Sequence, residues 1–298
     1  MIRPRLVFAL LLAVSQGAAH GSVQVVDDAG RPVRLAAPPR RIVSLSPHLT
    51  EILFAIGAGD RLVGTVDYSD YPAAAARLPR VGGHQLDLEA IAALRPDLVL
   101  AWGSGNPARQ VAKLEDLGMP VYYSETGHVA EIPATLERLG KLTGSESIAT
   151  KGAAHFREKL AELTKRYRGR PPVRVFVQIE ARPLLTVNGR HLINDVLGLC
   201  GGQNPFAGLS ALTPNLDAEG VLAADPQAIV ATAIDGRRPA WLEEWKRWPA
   251  LSAVRYGNLF FIPEDLLTRA SPRILEATAI LCEQLETARR HLSRPKQP

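Results

Sequence analysis

The sequence predicts an α/β protein of two lobes, each a central parallel sheet flanked by helices, joined by one long spanning helix. Three observations predict it. Short buried strands alternate with helices along most of the chain, the signature of parallel sheets wrapped by helices. A helical run of about 22 residues interrupts that alternation near the middle and would reach roughly 33 Å, the width of a small domain. Finally, Glu89, Pro96 and Leu98-Val99-Leu100-Ala101 recur as Glu219, Pro226 and Ala228-Ile229-Val230-Ala231, with one offset at every matched position.

The elements follow in order. Arg3 and Arg5, the apolar run Leu6 to Val14 and the small residues Gly17-Ala18-Ala19 read as a cleavable signal peptide over residues 1–19, cut before His20. The run is shorter than the 20 or so residues a membrane span needs, although an uncleaved anchor is the alternative. No cysteine lies near the cut, so no lipid anchor is expected and the mature chain should be free in the periplasm. Residues 20–37 contain a β-ribbon turning at Asp27-Asp28-Ala29-Gly30. Residues 38–142 form the first lobe. It opens with the strand Arg41 to Leu45 and a helix that Ser46-Pro47 is expected to cap, with Leu49, Ile52, Leu53 and Ile56 on one face. Further strands are read at Leu62-Val63-Gly64 and Leu98 to Ala101, with a short helix from Leu88 to Leu94 between them.

The spanning helix occupies residues 143–170. Thr143 and Glu146 have capping-box spacing, and Gly169-Arg170-Pro171-Pro172 stops it. Phe156, Leu160, Leu163 and Tyr167 form its apolar seam. The second lobe, residues 171–292, begins with the strand Val173 to Val177, and residues 293–298 are a tail.

Charge and motifs exclude several classes of function. The net charge of +5 falls once Arg3 and Arg5 are removed, and Arg289, Arg290, Arg294 and Lys296 concentrate the remainder at the C-terminus. A nucleic-acid face needs basic residues clustered within the fold, so no nucleic-acid partner is expected. There is no Walker A loop, HExxH or GxSxG elbow, and Gly57-Ala58-Gly59 closes a helix rather than opening one. No enzyme is expected, and no resident cofactor or metal. Distant histidines such as His48, His84, His128 and His191 could meet only through the fold, as in a zinc receptor. Cys200 and Cys282, the two cysteines, read in an exported chain as one disulfide, with two buried thiols as the alternative.

Aromatic residues beyond strand ends are the candidate binding elements. Tyr68 lies in Tyr68-Ser69-Asp70-Tyr71-Pro72, and Trp102 begins Trp102-Gly103-Ser104-Gly105-Asn106. In open α/β sheets the carboxyl ends of parallel strands border the ligand crevice, and rigid aromatic faces bury a flat ligand at low entropic cost. Filling the lobe's own core is the alternative for both. Trp241, Trp245 and Trp248 recur at helical spacing and read as packing.

From about Arg41 to Gln284 the chain resembles the helical-backbone class of periplasmic solute-binding proteins of ABC importers, and within it the cobalamin binders. The motifs that carry the resemblance begin with Ser44-Leu45-Ser46-Pro47, Thr50-Glu51 and Tyr68 to Pro72. They continue with Arg95-Pro96-Asp97-Leu98-Val99 into Trp102, Cys200-Gly201-Gly202-Gln203-Asn204, and Arg269-Ala270-Ser271-Pro272-Arg273. The resemblance implies that Tyr68 and Trp102 contact a corrin from the first lobe and Asp265 bonds its amide arms from the second. It matches Cys200 and Cys282 to the family's disulfide. It matches Glu89 and Glu219 to the surface carboxylates that dock on an ABC permease dimer carrying its ATPase subunits, the free protein being a monomer. Haem or siderophore-iron binding by the same fold is the alternative. The chain departs from the pattern where His84 stands in place of a stacking tryptophan, and where Thr213 and Ile179 replace second-lobe aromatics. His84 is therefore a further ligand candidate, to the corrin or to its metal.

Overall fold

The computed structural model describes residues 22–233 and 236–293. The signal peptide expected over residues 1–19, its cut before His20, and the tail beyond Ser293 lie outside the described residues. Strands β1 (Val23–Val26) and β2 (Pro32–Leu35) form an antiparallel ribbon. The first lobe then runs β3 (Ile42–Ser44), α1 (Pro47–Ala55), β4 (Leu62–Thr65), α2 (Leu88–Ala93), β5 (Leu98–Trp102), α3 (Ala108–Asp116) and β6 (Val121–Ser124). Helices α4 (Ile132–Thr143) and α5 (Glu146–Tyr167) follow.

The second lobe runs β7 (Val173–Gln178), the hairpin β8 (Glu180–Ala181) and β9 (Leu184–Leu185), α6 (Leu192–Leu199), β10 (Gly202–Gln203) and α7 (Ala218–Ala224). It continues with β11 (Ala228–Ala233), α8 (Ser252–Arg255), β12 (Leu259–Pro263), α9 (Glu264–Leu267) and α10 (Ile274–Leu292).

Each lobe is built on a four-stranded parallel sheet. The orders β4-β3-β5-β6 and β10-β7-β11-β12 are the same topology used twice. The strands show the period-two division expected of a sheet covered on both faces. In β5, Leu98 and Leu100 face one apolar cluster and Val99 and Ala101 another; in β11, Ala228 and Val230 are divided from Ile229 and Ala231 in the same way. The inner clusters of the two lobes are one. It runs from Ile42 and Leu98 through Leu136, Leu139, Ala149, Ala153 and Phe156 to Val175, Val230 and Leu281. The lobes therefore share a continuous core, and pulling them apart at that side would expose apolar surface.

Helix α5 is the strut between them. Phe156 and Tyr167 are buried, Leu160 and Leu163 pack at the margin, and the Tyr167 hydroxyl donates to Glu283 Oε1 of α10 at 2.6 Å. Its start differs from the capping-box expectation. Thr143 ends α4, where Gly144 adopts φ +70° to turn the chain. The Thr143 hydroxyl donates to Leu139 O at 2.7 Å and meets Ser145 Oγ at 2.8 Å. Ser145 occupies the N-cap position of α5. In the second lobe a disulfide joins Cys200, at the end of α6, to Cys282 in α10. Trp245 and Trp248 pack with Phe176 and Leu242 on the outer face, and the Trp245 indole donates to Gln178 Oε1 at 2.7 Å.

Candidate binding site at the lobe junction

The carboxyl ends of β3, β4 and β5 meet the segment between β12 and α10 where the lobes face one another. After β3, Ser46 holds the N-cap position of α1 without capping it; its hydroxyl instead meets His48 Nδ1 at 2.5 Å. Buried His48 lies edge-on to the Trp102 ring, with centroids 5.4 Å apart. Burial, with the Arg269 charge adding to it, pushes the His48 pKa down to about 3, so the imidazole is neutral at working pH.

Trp102 is the last residue of β5 and 37% exposed. Asn106 fixes its backbone: Asn106 Oδ1 accepts from Trp102 N at 2.7 Å, and Asn106 Nδ2 donates to Leu45 O at 2.9 Å. Gly105 leaves room for the indole, because a Cβ there would fall 1.9 Å from the ring.

The loop after β4 presents Tyr68, 60% exposed, and Tyr71, 46% exposed. Its base is held by buried hydroxyls. Thr65 Oγ1 donates to Ser69 Oγ at 2.8 Å and meets Thr50 Oγ1 at 2.7 Å, and Thr50 Oγ1 also reaches Ser44 Oγ at 3.0 Å. Arg80 donates to Val66 O at 3.1 Å and Ser69 O at 3.0 Å. Tyr68 itself adopts φ +62°, a left-handed backbone that costs a non-glycine residue about 1–2 kcal/mol.

From the second lobe come Arg269, Ser271 and Arg273, all directed to Glu51 of α1. Glu51 is buried; its Oε1 accepts from Arg269 at 2.8 Å and Arg273 at 3.1 Å, and its Oε2 accepts from Ser271 Oγ at 2.5 Å. Arg269 also donates to Asp70 Oδ1 and Tyr68 O, each at 2.8 Å. Arg273 donates to Asp265 Oδ2 at 2.9 Å and lies 3.9 Å over the Tyr71 ring. Nearby, burial raises the Glu264 pKa, as do the Glu180 and Asp265 carboxylates, against the pull of Arg269. Tyr68, Trp102 and Asp265 thus belong to one connected set.

His84 is exposed on a tight turn in which Gly82, at φ +104°, bridges Leu86. Gly82 O accepts from Asp67 N at 2.9 Å, which joins this turn to the Tyr68 loop. His128 and His191 are elsewhere: His128 Nδ1 stands 3.6 Å from Asp195, and His191 Nδ1 accepts from Ile193 N at the start of α6. Among the described residues no group of three His, Cys, Asp or Glu side chains is placed to hold a metal ion.

Glu89 and Glu219 are exposed and stand at the same position of equivalent helices, α2 and α7. Asp87 and Asp217 cap these helices, accepting from Ala90 N at 2.9 Å and Gly220 N at 2.7 Å. Thr213 is exposed and Ile179 packs against the shared core.

Residues 42–266 match the family described as periplasmic binding protein. The chain belongs to that family. It is 37% identical over 258 residues to a vitamin B12-binding protein of Vibrio parahaemolyticus serotype O3:K6, covering 85% of this chain and 92% of the relative. The crystal structure of the periplasmic vitamin B12-binding protein BtuF of Vibrio cholerae superposes with a TM-score of 0.79 at 38% identity, covering 85% of this chain and 99% of that one. A periplasmic heme-binding protein from Pseudomonas aeruginosa superposes at 0.73 with 25% identity, covering 87% and 95%.

Within this periplasmic binding protein, the residues that sequence reasoning gave no role are Glu51, Asp70, Arg269 and Arg273, and His48 was named only as one of four scattered histidines. The first four stood inside motifs already singled out, but their pairing spans about 200 residues of chain and leaves no local periodicity. The Arg269 to Arg273 run was the available signal: two arginines flanking a serine in a segment without helical amphipathicity.

Proposed function

We propose that this protein captures cobalamin, or a related corrinoid, between its lobes in the periplasm and delivers it to an inner-membrane ABC permease. It acts as a carrier rather than an enzyme. The observation that carries the reading is the charge balance at the lobe junction. Arg269 and Arg273 are met by Glu51, Asp70 and Asp265, with Glu264 close by. The guanidinium groups are committed, while Asp70 and Asp265 each keep a carboxylate oxygen as an acceptor in the cluster that holds the exposed Tyr68. A ligand suited to this junction is broad, flat and edged with N–H donors, as a corrin ring with carboxamide arms is. An anionic siderophore would want uncommitted cations instead. The curated relatives named for vitamin B12 support the same choice.

In this reading Tyr68 and Trp102 stack on the ring, Asp265 accepts from an amide arm, and His84 lines the rim. Glu89 and Glu219 dock on the permease; two carboxylates related by the lobe repeat suit a symmetric dimeric partner, whose ATPase subunits drive release. The N-terminal residues 1–19 direct export. Haem is the second reading, favoured by one observation: exposed His84 lies on the turn joined to the Tyr68 loop, where an imidazole could ligate iron or cobalt.

Calorimetric titration of the mature protein with cyanocobalamin, with haemin in parallel, tests the proposal. One-to-one binding of cyanocobalamin alone supports it, and binding of haemin alone replaces it with the second reading. A His84→Ala protein whose bound corrin spectrum is unchanged removes His84 as a metal ligand.

A further inference from the structure

The second lobe holds the first lobe's aromatic loop. Tyr68 is in the left-handed region, and its carbonyl accepts from Arg269 Nη2 at 2.8 Å. The same guanidinium donates to Asp70 in that loop and to buried Glu51 in α1. Arg269 therefore crosses from one lobe to the other and bonds both the loop and its support. Its side chain is only 10% exposed and that of Glu51 only 2%, so water competes weakly for the bond between them, while Asp70 is 62% exposed. Within the first lobe the loop has other anchors, through Arg80 and the Thr65 hydroxyl. They bond Val66 and Ser69, on either side of Tyr68, whose carbonyl accepts within the loop only from Asp70 N at 3.0 Å.

We propose that Arg269, anchored by Glu51, is an interlobe positioning residue that keeps Tyr68 in its binding geometry only while the lobes are closed together. The inference rests on the reading of Tyr68 as a ligand-stacking residue. Separation of the lobes withdraws the guanidinium from the Tyr68 carbonyl, and the loop then relaxes toward ordinary backbone angles. Opening thus loosens the second-lobe contacts and the first-lobe aromatic wall together, which makes release concerted. Glu51 sets where Arg269 stands, while Ser271 and Arg273 fill its remaining acceptor sites.

The test is Arg269→Lys in the mature protein, measured two ways. A lysine keeps the charge beside Glu51 but cannot bond Glu51, Asp70 and the Tyr68 carbonyl with one rigid fork. Hydrogen exchange is followed without ligand in the peptide covering residues 66–71, and cyanocobalamin kinetics by stopped flow. The expected result is exchange at least tenfold faster in that peptide, with the β3 and β5 peptides unchanged. Dissociation is expected about tenfold faster, with association changed less than threefold. Glu51→Gln, which retains shape and loses charge, should move both readouts the same way. Unchanged exchange at residues 66–71 in a folded Arg269→Lys protein overturns the inference, as does a loss confined to association. If the wild type binds no cyanocobalamin, the corrinoid reading has failed, and the exchange measurement still decides whether Arg269 holds the loop.

Discussion

Trp102→Ala offers a direct measure of the aromatic wall. With about 240 Å2 for a fully exposed tryptophan, the 37% exposure of Trp102 leaves roughly 90 Å2 for a ligand to cover. At about 25 cal/mol per Å2 that is ~2 kcal/mol, or about a thirtyfold change in Kd. The ring is already fixed by His48 and by the Asn106 contacts to its backbone, so little side-chain entropy is lost on binding and most of that figure should survive. Loss of the ring should speed dissociation rather than slow association, the usual division among variants of one interface. Fold stability should fall as well, because the other 63% of Trp102, roughly 150 Å2, is already buried and its loss leaves a cavity worth about 3–4 kcal/mol. Titration calorimetry with cyanocobalamin and stopped-flow dissociation make the measurement, with a thermal melt as control. A Kd within threefold of wild type, in a variant the melt shows to be folded at the titration temperature, would refute the argument that Trp102 forms a ligand wall.

Four further outcomes are expected. Gly105→Ala should displace the Trp102 ring, since its Cβ would fall 1.9 Å from an aromatic carbon. Binding should then weaken toward the Trp102→Ala value with the fold intact, and an unchanged tryptophan emission spectrum would argue against the displacement. Glu89→Lys with Glu219→Lys should abolish cobalamin uptake by cells and leave calorimetric binding unaltered; lost binding would contradict the docking assignment. Replacing Cys200 and Cys282 with serine releases a cross-link closing 82 residues, worth up to about 4–5 kcal/mol in the chain-entropy model, so the melting point should fall by about 10 °C. Equal melting points with and without reductant would show the link to be energetically idle. Acid should destabilise the protein early: burial lowers the pKa of His48 to about 3 and of His191 to about 4 from an ordinary 6.5. The folded state then binds fewer protons than the unfolded one, so this stability is complete above pH 6.5 and drains away as pH falls toward 3. Denaturant midpoints at pH 7.5 and pH 5 check it, and equal midpoints would count against buried neutral histidines.

Much of the architecture was legible in the sequence because it rests on local periodicity. Leu98 to Ala101 reads as a strand and folds as one, and the recurrence of Glu89 as Glu219 corresponds to two helices capped alike by Asp87 and Asp217. Helix α4 was passed over although Leu136, Leu139 and Leu142 recur at helical spacing, behind a proline at its start and ahead of Gly144. Thr143 could be read with either helix: its spacing to Glu146 suggests a cap, yet its hydroxyl turns back to Leu139 O. Sequence spacing cannot decide between two local partners of one hydroxyl. The site was half legible. Tyr68, Trp102 and Asp265 lie where motif and strand ends place them, whereas the role of Glu51 depends on Arg269, Ser271 and Arg273 arriving from the other lobe. A buried carboxylate in an amphipathic helix gives no sign of its partner until the fold brings one.

That partner chemistry bears on how a closed cleft opens. The lobes are joined on one side by a continuous apolar core through α4, α5 and α10, and separating them there would expose hydrocarbon to water. Polar contacts also tie the lobes: Glu51 with Arg269 and Arg273, and Val129 N with Asp195 Oδ2 at 2.8 Å. A buried ion pair specifies geometry sharply yet adds little net stability, because each charge regains hydration when water enters. Breaking these contacts therefore costs less than their short distances suggest, provided both partners are wetted together. An apolar latch at the same place would have closed the lobes more tightly and resisted release, so a carrier that must surrender its cargo is better served by charges.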